Sequence, residues 1–158
     1  MANTASLCTS FLSEVLTATH NFGTAPIRAA TTADTFKASL YLTTGSIDAS
    51  TTAYTATGEV TGTNYTAGGV VVTNATAPAS TNTSATAGTS YWTPSASISY
   101  TNVTLSTAFN AMLLYNSTQS NKAVGVYTFG SQTITAGTFA LTMPANTTST
   151  ALLRIATT

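Results

Sequence analysis

Short runs of alternating apolar and polar residues, punctuated by Gly, Pro, Asn and Ser, predict a mainly β chain. The expected architecture is an antiparallel β-sandwich over about residues 35–155, preceded by one N-terminal amphipathic helix over about 5–20. Threonine supplies about a quarter of the chain, so the surface is expected to be hydroxyl-rich and nearly uncharged. At 158 residues the chain has the size of one domain, and 1–158 is read as a single unit.

In the opening segment Leu7, Cys8, Phe11, Leu12, Val15 and Leu16 recur at steps of three and four, with Asn3 or Thr4 as cap and Asn21, Phe22 and Gly23 as stop. Thr9, Thr17 and Thr19 are mediocre helix formers, so the helix depends on docking its Leu7, Phe11 and Val15 stripe on its own sheet or on a neighbouring subunit. After Pro26 the period becomes two. Phe36, Ala38, Leu40 and Leu42 alternate with Thr35, Lys37, Ser39 and Tyr41, which predicts a strand with one buried face. Residues 45–58 read as a polar connection with a short helical turn over 51–56. Gly68 and Gly69 stand directly before Val70, Val71 and Val72, the mark of a bulge or a close backbone approach at the start of a strand.

The Ala/Thr/Ser/Asn stretch 75–90 reads as a long loop with a weak strand inside. Five strands then follow at close spacing, over 97–105, 108–115, 123–129, 138–143 and 151–155, with turns at 116–121, 130–132 and 144–146. Residues 111–115 are apolar on both faces and 123–129 nearly so, which predicts central strands covered on both sides. The expected core includes Phe36, Leu40, Leu113, Val124, Val126, Phe139, Leu141 and Leu153.

Charge narrows the function classes. Charged residues are 5% of the chain, with Arg28, Lys37, Lys122 and Arg154 balancing Glu14, Asp34, Asp48 and Glu59. With no basic stripe to release counterions or attract anionic lipid, neither nucleic acid nor a membrane is an expected partner. One His, one Cys and four separated carboxylates offer little from which to build a reactive centre, so the expectation is no enzyme, no cofactor and no metal. Asp34, Asp48 and Glu59 fall in separate loops without D-x-D or E-x-x-H spacing. His20 reads as the C-terminal end of the helix, and Thr66 to Gly69 as a turn rather than a phosphate loop. Arg154 either points outward from the last strand or pairs with a carboxylate, Glu14 first.

Cys8 is alone, so no intramolecular disulfide is expected. The start lacks a secretory pattern and no run approaches 18 apolar residues, so a soluble chain made in the cytoplasm is expected. Six N-x-[ST] triplets, at Asn64, Asn74, Asn82, Asn102, Asn116 and Asn146, follow from the Thr/Ser content. Tyr91 and Trp92, just before Pro94, form the densest aromatic point, open to three readings: core, interface anchor or carbohydrate platform. With Tyr54 and Tyr65 in the polar connections, they are the candidate interface residues.

Several stretches taken in order carry a resemblance. They are Cys8-Thr-Ser-Phe11 through Glu14 to His20-Asn-Phe22, Thr35-Phe-Lys-Ala-Ser-Leu-Tyr41, Thr51-Thr-Ala-Tyr-Thr-Ala-Thr-Gly-Glu-Val60, Thr61-Gly-Thr-Asn-Tyr-Thr-Ala-Gly-Gly69, Leu114-Tyr-Asn-Ser117 with Lys122-Ala-Val124, and Thr138-Phe ahead of Met143-Pro-Ala145 and Leu153-Arg-Ile155. Together they resemble a family of small virion-associated structural proteins of tailed bacteriophages, over most of the chain and least at 75–90. The resemblance implies a helix-plus-β structural protein of the particle, without catalytic residues, and leaves head or tail open.

A neutral, Thr-rich domain agrees in class, because a part used in many copies adds weak contacts by multivalency. The leading expectation is a head decoration or cement protein that stabilises the capsid shell. It would bind the major capsid protein or other virion proteins and copies of itself as a symmetric oligomer, and be located in the virion after synthesis in the host cytoplasm. The alternatives are a tail, collar or fibre component, host-binding through Tyr91 and Trp92, and a small glycan-binding module. Contacts are expected at strand edges and at the loops 43–58 and 75–95, through apolar and backbone groups rather than charge.

Overall fold

Strand pairing between distant parts of the chain organises the protein, as seen in a computed structural model that describes residues 3–8, 11, 15, 19–22, 33–73, 75–81 and 88–156. Eight strands are described: β1 (Ser6–Leu7), β2 (Phe36–Leu42), β3 (Val70–Val71), β4 (Ala79–Ser80), β5 (Thr89–Trp92), β6 (Ile98–Asn116), β7 (Lys122–Leu141) and β8 (Leu153–Ala156). They form two antiparallel sheets, one in the order β1-β7-β6-β2-β3 and one in the order β4-β5-β8. The mainly β expectation holds.

The centre of the larger sheet is a long hairpin, β6 of 19 residues and β7 of 20, closed by a turn at 117–121. Here the structure corrects the expectation of four short strands. The breaks expected at 106–107 and 130–132 are bulges. Between the pairs Leu105↔Ile134 and Phe109↔Gln132, β6 carries the surplus residues; between Phe109↔Gln132 and Ala111↔Thr128, β7 does. The surpluses match, so the strands regain register, and the punctuation at Gly130 falls in a bulge instead of a reversal. Two further bulges place Asn102 at φ 53° and Ala136 at φ 44°, and the Ala136 N–H donates to Thr104 Oγ1 at 3.0 Å.

Residues 111–116 of β6 and 123–126 of β7 are buried, as central strands should be. β2 departs from the expected single buried face. Phe36, Ala38 and Leu40 are enclosed, and so are Ser39 and Tyr41, because the connection 53–65 pairs with the strand's edge through a Tyr41↔Glu59 bridge and a Val60 N–H to Leu40 carbonyl bond of 3.0 Å, and its Thr55 carbonyl receives the Tyr41 hydroxyl at 2.6 Å. No helical turn forms at 51–56, where the chain has a bridge at Ala53 and a bend at Ala56. The glycine pair behaves as expected: Gly68 and Gly69 have φ of 84° and 70°, and a Cβ on Gly69 would collide with the Ala38 carbonyl. Of the expected core, Phe36, Leu40, Leu113, Val124, Val126, Phe139 and Leu153 are buried. Leu141 is only half-buried, because it ends β7 opposite Ile98 where the sheet runs out.

The helix expected over 5–20 is not seen. Ser6 and Leu7 pair with Val126 and Gly125 as a strand, and the Cys8 N–H donates to the Val124 carbonyl at 3.2 Å. Backbone bonds to a waiting strand edge satisfy this segment where threonine-rich helical turns would be marginal. Phe11 and Val15 have helical backbone, Thr19 and His20 do not, and the remainder of the span lies outside the described residues. In the 75–90 stretch the expected weak strand is β4, with residues 82–87 and Asn74 outside the description.

Candidate interaction surface

Of the four candidate interface residues, the structure brings Tyr54 and Tyr65 together and places Tyr91 and Trp92 elsewhere. Tyr54 and Tyr65 converge on one carboxylate. The Tyr54 hydroxyl donates to Glu59 Oε2 at 2.6 Å, the Tyr65 hydroxyl donates to Oε1 at 2.7 Å, and the Gly68 N–H donates to Oε1 at 2.8 Å. Glu59 is 7% exposed, so these three uncharged donors take the place of water around it. The left-handed turn at Gly68 and Gly69 is what aims that N–H inward.

The rings extend the cluster. Tyr54 stacks on Tyr115 at 5.0 Å between centroids, and Tyr65 on Tyr100 at 5.8 Å. Tyr115 donates to the Gly68 carbonyl, Tyr100 to the Ala38 carbonyl and Tyr41 to the Thr55 carbonyl, at 2.7, 2.7 and 2.6 Å. Burial foremost, with the Glu59 charge adding to it, pushes the Tyr41 and Tyr115 hydroxyls up to about 12 and those of Tyr54, Tyr65 and Tyr100 higher still. All stay protonated donors at neutral pH. Tyr54 and Tyr65 are therefore committed to holding the 53–68 connection on β2 and β6, rather than presenting free hydroxyls to a partner.

Tyr91 and Trp92 lie on β5 beside a second cluster. Trp92 is buried, with Nε1 donating to the Thr76 carbonyl at 2.9 Å and its ring 4.8 Å from Phe22 and 6.1 Å from Phe36. Phe22 stacks on Phe36 at 4.3 Å, and His20 sits 5.0 Å from Phe11. The tryptophan thus joins the smaller sheet to β2. With Phe11, His20, Phe22, Tyr91 and Leu153 it lines an apolar cleft of about 170 Å³, with Val15 and Ile155 exposed at the rim.

His20 is tied down from below. Its Nδ1 accepts from Asn116 Nδ2 at 3.1 Å, an arrangement that puts the ring proton on Nε2. Asn116 also donates to Asp34 Oδ2 at 2.8 Å, joined there by the Asn21 N–H at 2.9 Å, while Gln119 Nε2 reaches Oδ1 at 3.2 Å. Asp34 is 5% exposed. Asn116, expected as an N-x-[ST] triplet of composition, is fully buried as the hub between this segment and the β6–β7 turn.

Asp34 and Glu59, read from sequence as scattered loop carboxylates, are the organising groups that reading missed. The available signal was local: Glu59 lies between tyrosines at 54 and 65 and ahead of a glycine pair. Asp48 instead caps its own turn, accepting from the Ser50 N–H at 2.8 Å and Ser50 Oγ at 2.6 Å, which holds its carboxyl below the usual range. Arg154 points outward, as one of its two expected arrangements had it, and donates to the Ser149 carbonyl at 2.7 Å. Its other candidate partner, Glu14, lies outside the described residues, as does Arg28. Among the described residues no three His, Cys, Asp or Glu side chains gather as a metal site, and no helix is long and apolar enough to cross a membrane.

Comparison with protein-family models, with curated proteins and with solved structures finds no match.

Proposed function

We propose that this chain is a structural protein of the bacteriophage particle, a head decoration or cement protein that lies on the capsid shell and stabilises it. The observation that carries this reading is the burial of Asp34 and Glu59. A chain with only four carboxylates turns two of them inward, so its hydroxyl-rich surface is even less charged than its composition. Such a surface is laid on a neighbour at little desolvation cost and is held by backbone and apolar contacts repeated over many copies. The resemblance to virion-associated proteins supports the same class. In this reading the two sheets are the layers of a sandwich, joined where Trp92 meets Phe22 and Phe36, and the apolar cleft with Val15 and Ile155 at its rim faces a capsid protein. The protein binds; no catalysis is assigned to it.

The test is binding of the purified protein to capsids lacking it, at about 50 mM and about 500 mM salt, a roughly threefold change in screening length. Affinity should change by less than tenfold. A larger loss would show that the few charges dominate. Binding to tails and not to capsids would move the protein to the tail, collar or fibre.

A further inference from the structure

The outer edge of β7 is the longest unpartnered strand edge among the described residues. β1 covers this strand only at Gly125 and Val126, with Cys8 bonded at Val124, while β6 pairs along the other side from Lys122 to Leu141. From Thr128 to Leu141 the outer side meets no described strand. The other free edges are shorter: β1, β3 and β4 have two residues each, β8 has four, one of them Arg154, and the side of β6 that β2 leaves open over 98–108 is held at Thr104 by Thr63 and at the Ala108 carbonyl by the Thr43 N–H.

Proteins blunt exposed edges with charge, proline, bulges or a covering element. Residues 128–141 contain no charged residue and no proline, and β-formers are frequent: Thr128, Phe129, Thr133, Ile134, Thr135, Thr138 and Phe139. The strand is held rigidly from inside, because Phe129 and Phe139 pack on each other at 5.2 Å and on Phe109 at 5.9 and 5.0 Å. Its outward residues are mostly exposed Thr, Ser, Gln and Ala. Bulges at 129–131 and 135–136 are the single protective device present.

We propose that this edge pairs with the same edge of a second copy, antiparallel about a two-fold axis, to make one sheet running through both copies. A second copy is the occupant that the edge itself specifies. Antiparallel self-pairing matches each donor-acceptor row to its own image, and the strand carries no charge to repel that image. The two-fold arrangement also consumes the edge, so association closes at a pair, and the bulges keep the contact too short and twisted to template an open fibre.

The test is the mass of the full chain in solution by sedimentation velocity, over a roughly hundredfold range of concentration. The native chain should sediment as two copies. T133K/T138K and T133E/T138E, both at exposed positions, should each keep the native far-UV circular dichroism and sediment as one copy, and an equimolar mixture should recover the two-copy species. A native chain that remains a single copy overturns the proposal. So does a lysine variant that still pairs, or a mixture that fails to recover pairing, since the loss would then not be repulsion across a shared edge. Pairing is independent of the capsid reading: a pair that ignores capsids refutes only that reading.

Discussion

The Tyr65 hydroxyl lies between Glu59 and β2. It donates to Glu59 Oε1 at 2.7 Å and accepts from the Leu40 N–H at 3.0 Å, so one side chain satisfies a buried carboxylate and a buried backbone donor together. Tyr65→Phe removes both bonds and should cost about 2 to 3 kcal/mol of unfolding free energy. Tyr54→Phe removes a single bond from a less enclosed hydroxyl and should cost about 1 kcal/mol. Reversible urea melts of the two variants check the order; equal losses would mean that the Leu40 bond contributes nothing.

The tyrosine cluster makes the fold sensitive to alkali. The Tyr41 and Tyr115 hydroxyls, whose ordinary value is 10.0, are raised to about 12 in the folded chain, chiefly by burial. Between those values the folded state holds protons that the unfolded chain releases, so this contribution is fully present below about pH 10 and is lost as pH rises towards 12. Absorbance of tyrosinate near 295 nm, followed with far-UV circular dichroism, should show these two hydroxyls ionising only well above pH 10 or together with unfolding. Ionisation of both near pH 10 in a chain that keeps its circular dichroism would contradict the packing described.

Gly69 and Gly130 should respond in opposite ways to alanine. At Gly69, φ is 70° and a Cβ would strike the Ala38 backbone, so Gly69→Ala should lower stability by about 2 kcal/mol or more. At Gly130 the nearest atom to a new Cβ is Gln132 Nε2 at 4.0 Å, and alanine should be neutral within about 0.5 kcal/mol. Thermal melts of both variants test whether the first glycine serves close approach and the second only an open bulge.

Local residue order was enough for β2, β3 and the turn between β6 and β7, and for the existence of a last strand, which begins at Leu153 and not at Ala151, because alternation, β-branching and turn residues act on the backbone within a few positions. It was enough, too, for the glycine pair, whose place before three valines leaves a close approach as the natural use. The same local signals misled at Ser106, Thr107 and Gly130. Whether such residues reverse the chain or bulge it depends on the strand opposite, and here matching surpluses on β6 and β7 let both run on. Leu7 and Cys8 follow the same logic, since helical spacing within the segment yields to the free edge of β7 at Gly125 and Val126.

Composition alone determined that charge would be scarce and hydroxyls abundant, and local alternation with turn residues determined that the chain would be mainly β. Tertiary structure alone decided where the scarce charges went. Asp34 meets Asn116 and Gln119 from more than eighty positions away, and Glu59 is enclosed where Tyr54, Tyr65 and the Gly68 N–H converge on it. A buried carboxylate persists only where several donors arrive together, and that convergence is a property of which strands pair, not of which residues are adjacent in the chain.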